Sequence, residues 1–189
     1  MKWSTFAIFA FAALVLELSL TGLVEVASIR PSLLALLALF IALSAARVAA
    51  LWACFLLGCL ADLSSAISYP PGQVAHLLGP HALGFTFGGA LVLQIRAMVM
   101  QRQLVALCVF SGMFVATASI IVVAVYTARS WFPSFAPEFA EFRPAGELMR
   151  RWASALYTAI AALPVGYVLL RWQKLWSFQT LSGGSTNWR

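Results

Sequence analysis

Apolar residues fall along the chain in runs of about 15–23, separated by short polar joints, and a helix needs roughly 20 such residues to cross a ~30 Å hydrocarbon core. The first run predicts a helix from about Phe6 to Val24, ending in a joint that carries Glu25 and Arg30. Pro31 is then placed at the first position of a second helix reaching about Ala45, where its missing N–H is not needed. At roughly 15 residues that helix extends only about 22 Å, so it is expected to be tilted or buried by its neighbours.

Arg47 marks a tight turn before a third helix, Val48 to about Leu63. Pro70, Pro71 and Gly72 predict a turn, and Gly79 with Pro80 interrupts the next apolar run. The fourth helix is expected from near Pro80 to near Ile95, with a short hairpin before it, the alternative being a start at Gly72. Arg96, Gln101, Arg102 and Gln103 form the next joint, and a fifth helix is expected from Leu104 to Tyr126. The longest loop, Thr127 to Arg151, mixes Trp131, Phe132, Phe135, Phe139 and Phe142 with Glu138, Glu141 and Arg143, a composition suited to a membrane interface. A sixth helix follows Pro144 to about Leu170, with a kink expected at Pro164 and Gly166.

The composition agrees: of 189 residues 62% are hydrophobic and 10% charged, so the chain reads as an all-α, multi-pass membrane protein of about six helices in one bundle. Residues 1–176 are expected to form a single domain and 177–189 a disordered cytoplasmic tail. The first segment is too long for a signal-peptide core and is expected to stay as the first span. The net charge of +6 does not argue for nucleic acid, because the basic residues stand singly at the ends of apolar runs, facing the lipid bilayer's surfaces. With both termini cytoplasmic the inner side holds Lys2, Arg47, Arg96, Arg102, Arg171, Lys174 and Arg189, against Arg30, Arg129, Arg143, Arg150 and Arg151 outside. That asymmetry predicts N-in, C-in and puts every acid in the outer half or beyond. Cys54, Cys59 and Cys108 lack the paired spacing of a zinc or redox site and read as small hydrophobes.

Few residues carry candidate chemistry. Asp62 stands alone near the end of an apolar segment, where a charge is costly and needs a reason. Its expected role is structural, accepting N–H groups of the following turn or pairing with an outer arginine such as Arg30 or Arg129; an amide, keeping one oxygen, is then the milder replacement. Asp62, His76 and His81 do not make a metal set, since the histidines are five apart and no second carboxylate is near. Glu17, in the first helix, is a proton or substrate candidate but is read more readily as the partner of a neighbouring helix, with Ser19 and Thr21 beside it. Gly84-x-x-x-Gly88 is expected to serve close packing within the monomer rather than a dimer face. No phosphate-binding loop, nucleophile elbow or zinc-protease helix is present, so neither cofactor nor catalytic set is expected.

The order of these features resembles the MreD family, the small membrane subunit of the bacterial rod-shape (elongation) system. The resemblance rests on an acid in the first helix, the Pro-led second helix, Gly58-x-x-x-Asp62 with Leu63 and Ser64, then His81-Ala82-Leu83 and a helix spaced by Gly84 and Gly88. It covers Met1 to Arg102. Ser65 and Ala66 stand where the family usually has a glycine, and both the turn before His81 and the outer loop are longer. The resemblance implies a six-helix fold like the substrate-binding subunits of vitamin transporters. It also implies a non-catalytic scaffold of peptidoglycan synthesis in the bacterial inner membrane, binding MreC and through it MreB, RodA and a penicillin-binding transpeptidase. A substrate-binding subunit of a vitamin or metal transporter is the rival, with Tyr126, Trp131, Glu17 and Asp62 available to an outer pocket.

Partner contact is expected in the outer loop, where a short helix from Pro137 would set Phe139 and Phe142 on one face and Glu138 and Glu141 on another. The charge pattern is directly testable: reporter fusions at Arg102 and at the tail should read cytoplasmic and one at Glu141 external. A cytoplasmic signal at Glu141 would overturn the six-span reading.

Overall fold

The computed structural model describes residues 2–24, 30–65, 67–69, 73–75, 77–96, 104–131 and 144–171. Glu25, Pro70, Pro71, Gly72, His76, Arg102, the aromatic segment with Phe132, Phe135, Phe139 and Phe142, and the 177–189 tail lie outside the described residues. Six helices make up the fold: α1 (Trp3–Val24), α2 (Leu33–Ser44), α3 (Arg47–Ser64), α4 (Pro80–Ile95), α5 (Leu104–Ser130) and α6 (Pro144–Arg171). Between α3 and α4, β1 (Ile67–Tyr69) and β2 (Gln73–Ala75) pair antiparallel, so a hairpin does precede a helix starting at Pro80. Arg47–Ser64, Ala106–Ser130 and Pro144–Leu169 are each long and apolar enough to cross a membrane, and Trp3–Ser19 and Leu33–Ser44 are shorter apolar stretches.

The helix boundaries have local causes. Helix α1 begins three residues before Phe6, with Trp3 and Phe6 edge to face in its first turn. Pro31 is not the first residue of α2: Ser32 is the N-cap, its hydroxyl accepting the Ala35 N–H, and the helix proper begins at Leu33. Helix α5 continues a turn past Tyr126 because the hydroxyls of Thr127 and Ser130 bond back to the carbonyls of Val123 and Thr127. Pro164 and Gly166 lie inside α6, which is assigned as one helix through both.

Helix α2 is the centre of the bundle. It touches all five other helices, and every residue from Leu34 to Leu43 is buried. Its sequence shows no amphipathic face, which fits a helix covered on all sides. At 12 residues it is about 18 Å long, shorter than the hydrocarbon core, so it cannot carry both of its ends to the membrane surfaces. Around it, α3 packs on α4, α4 on α5 and α5 on α6, while α1 meets α2 and α3.

Glycines set the closest crossings. A Cβ on Gly58 would run into the α4 backbone at His81 and Ala82. One on Gly84 would sit 2.9 Å from the Ala118 carbonyl oxygen of α5, and one on Gly88 3.0 Å from the Phe114 ring. Both Gly84 and Gly88 thus face α5 of the same chain, as expected of packing within the monomer. Gly58→Ala should lower the thermal midpoint in detergent by the equivalent of about 1–3 kcal/mol, because only backbone stands in the way. Gly112→Ala, whose new Cβ would lie 3.5 Å from the Ala159 Cβ, should be near neutral. Equal melting of the two variants would show that the α3–α4 crossing is looser than described.

Candidate functional site

The candidate site is built from helix ends. Asp62 lies in the last turn of α3, four residues after Gly58 and on the same face, with its carboxylate fully buried. The missing Cβ of Gly58 lets the start of α4 come against α3, and Asp62 meets that start one turn later. Helix α4 has no side-chain cap of its own: its N-cap is Gly79, at φ 126°, a left-handed conformation that favours glycine. The carboxylate of Asp62 supplies the cap. Its Oδ2 accepts the N–H of Gly79 at 2.8 Å and of Ala82 at 3.1 Å, while Oδ1 accepts the N–H of His81 at 2.9 Å. Pro80 has no N–H to satisfy, and the Leu83 N–H makes the first helical bond to Gly79.

A fourth donor completes Asp62: Nδ1 of His81 lies 2.8 Å from Oδ1. With Nδ1 turned to Asp62, the other ring nitrogen, Nε2, faces the Arg151 Nη1 at 3.4 Å, and in the tautomer that donates from Nδ1 it can accept from that guanidinium. Arg151 is held from two further sides, its Nε donating to Glu147 at 2.8 Å and its guanidinium lying 5.6 Å from the centroid of the Tyr126 ring. Arg150 donates to the same carboxylate, at 2.9 and 3.1 Å. A continuous polar chain therefore runs from α3 through α4 to α6 and α5.

Glu17 does for α2 what Asp62 does for α4. Its Oε2 accepts the Leu34 N–H at 2.9 Å. Both acids lie 17 residues before a donor that they meet. Helix α6 adds to the same place: Thr158 Oγ1 accepts the Ser32 N–H at 3.2 Å, and the Ser154 hydroxyl donates to the Arg30 carbonyl at 2.6 Å. At the opposite end of α2, Arg96 donates from Nη1 to the carbonyls of Ala42, at 3.0 Å, and Ala45, at 2.6 Å. A carboxylate at its N-terminus and a guanidinium at its C-terminus both complement the helix dipole.

These contacts surround a cavity of about 620 Å³ at the Asp62 end of the bundle, lined by residues of all six helices. Its lining combines the charged and ring groups of Arg30, Arg150, Arg151, Glu17, Glu147 and His81 with apolar side chains, Ala35, Phe85, Val115, Ala118 and Val122, and with serine hydroxyls such as that of Ser119.

Several expectations change here. The donors that Asp62 meets come from the start of α4, 17 to 20 residues on, rather than from the turn just after it, and no arginine is among its described partners. Glu17 is satisfied by a neighbouring helix, through the α2 backbone, with the Ser32 hydroxyl also in reach. The spacing of His81 from His76 excludes a metal pair but says nothing of its role here, which follows from standing at the start of α4. Glu147 and Arg151 are paired by their four-residue spacing on α6, and Tyr126 of α5 joins them only in three dimensions.

The family described as rod shape-determining protein MreD matches residues 1–163, from α1 into α6. The chain belongs to the MreD family. The match extends past the Met1–Arg102 region in which the motifs of the sequence lie, and it takes in Tyr126, Glu147 and Arg151. No curated protein and no solved structure matches the chain significantly. Membership makes this a membrane protein of rod-shape determination, and Gly58, Asp62, His81, Gly84 and Gly88 all lie within the matched region.

The geometry at Asp62 also revises the expected order of substitutions. Each oxygen accepts two N–H groups, so Asp62→Asn turns an amide N–H₂ against two donors whichever way it is flipped. Asp62→Asn and Asp62→Ala should therefore lower the thermal midpoint and folded yield to similar extents, each by about 2 kcal/mol or more. An Asn variant as stable as the parent would show that the carboxylate is not what holds the start of α4.

Proposed function

We propose that this MreD-family chain is a non-catalytic scaffold of the bacterial elongation machinery. It would hold an MreC-like protein at the outer face of the inner membrane, and through it connect MreB, RodA and a penicillin-binding transpeptidase. The observation that supports this reading is the bracing of one end of the bundle. There Glu17 ties α1 to α2, Asp62 ties α3 to α4, Ser154 and Thr158 tie α6 to the segment before α2, and His81 with Arg151 ties α4 to α6. Glu17, Asp62, Ser154 and Thr158 are engaged with helix starts or the segment leading into one, which makes a braced platform.

Above that platform the α5–α6 pair stands proud. Helix α6 begins seven residues before Arg151, so it extends about 10 Å beyond the level of His81. The distribution of basic residues favours this end as the outer one, with both termini inside. A partner approaching from that side would meet the end of α5 and the start of α6 first.

A substrate-binding subunit of a transporter is the second reading, and the cavity of about 620 Å³ is what favours it. One experiment separates the two. Phe139→Ser combined with Phe142→Ser should reduce co-purification of an MreC-like partner about tenfold or more while the protein still accumulates in the membrane. Retention of the partner with loss of a bound small molecule would favour the transporter reading. No change in either would move the partner surface onto the helices.

A further inference from the structure

The cavity at the Asp62 end has a charge pattern that the helix-end contacts do not use up. Its wall carries Arg30, Arg150 and Arg151 together with Glu17 and Glu147, and the buried Asp62 carboxylate stands just behind His81. Glu17 is turned to the start of α2, whereas Glu147 alone is shared by Arg150 and Arg151. The α6 side of the wall therefore has two cations for one carboxylate.

Arg151 is held from three sides. Glu147 fixes its Nε, His81 lies against its Nη1, and Tyr126 backs the plane of its guanidinium, while its side chain keeps about one-fifth of its surface exposed (20%). A planar fork whose orientation is already fixed loses little entropy when it meets a pair of anionic oxygens. The same space is also lined by Phe85, Val115, Ala118 and Val122, apolar surface suited to an apolar body. The volume, about 620 Å³, falls in the range of small-molecule sites.

We propose that this cavity binds a small amphipathic anion, a carboxylate or phosphate carried on an apolar body, with the guanidinium of Arg151 as its principal contact. Asp62 and His81 are then positioning residues, acting on the ligand through Arg151. The proposal does not depend on the scaffold reading, since it concerns occupancy of the cavity and not the surface around it.

The test uses the full chain in phosphatidylcholine nanodiscs, titrated with hexanoate, hexyl phosphate, hexanol and hexylammonium. The two anions should raise the thermal midpoint in a concentration-dependent way, and hexanol and hexylammonium should not. Arg151→Gln should weaken hexanoate binding about tenfold or more by calorimetry. His81→Asn removes the ring nitrogen that faces Arg151, so it should weaken hexanoate binding several-fold at a temperature where the ligand-free variant, even with a lowered midpoint, is fully folded. Discs containing phosphatidylglycerol identify the source: loss of hexanoate binding there marks a lipid headgroup as the occupant, and unchanged binding marks a water-soluble anion. Protection by hexanol equal to that by hexanoate, unchanged anion binding in Arg151→Gln, or no anion binding in phosphatidylcholine would each overturn the proposal.

Discussion

A helix that starts inside a membrane exposes N–H groups where water cannot reach them, at a cost of several kcal/mol for each one left open. Two helices here face that problem. Helix α2 is about 18 Å long and central, and α4, with 16 residues, is about 24 Å. Both are too short to carry their ends to the water on each side. The chain answers with a carboxylate from the preceding helix in each case, Glu17 for α2 and Asp62 for α4. Much else depends on this choice: Gly58 must be small for α4 to come within reach, Gly79 must take a left-handed turn to aim its N–H at Asp62, and Pro80 conveniently has no N–H.

The same arrangement explains why an acid in an apolar segment need not mark chemistry. A lone carboxylate in a membrane is a reasonable functional suspect. Asp62 instead has all its described contacts on helix-start donors and one imidazole, and the imidazole in turn orients an arginine. Structural satisfaction at Asp62 and ordering of the cavity wall at Arg151 are thus parts of one network. Disturbing the first disturbs the second.

Hydropathy made the number of helices, the Pro80 start, the hairpin before it and the shortness of α2 legible, because each leaves a mark in run length or in a proline. The Gly84 and Gly88 spacing also told its packing role correctly. What sequence could not show was which helix end meets which side chain. Asp62 and its donors are 17 to 20 residues apart, and no periodicity links them. Arg96 reads as one more orientation charge, yet it closes the last turn of α2. Ser154 and Thr158, two hydroxyls four apart in an apolar helix, were a readable signal that a polar neighbour lay opposite, and they face the segment before α2. Arg150 and Arg151 fall at the end of the loop expected from Thr127, whereas α6 begins at Pro144 and carries both, with Glu147.

The equal separation of each acid from its donor bears on how the chain assembles. Because Glu17 and the start of α2 belong to one hairpin, and Asp62 and the start of α4 to the next, each pair can close its own polar end as soon as its second helix is made. Neither has to wait in the bilayer with open N–H groups for a later part of the chain. The contacts that span the long distances, Ser154 with Arg30 and Arg151 with His81, come from α6 and form only when the last helix arrives. Local closures are fast and distant ones slow. The order of synthesis and the order of polar satisfaction therefore coincide, and α6 acts as the final latch on two hairpins that are already complete.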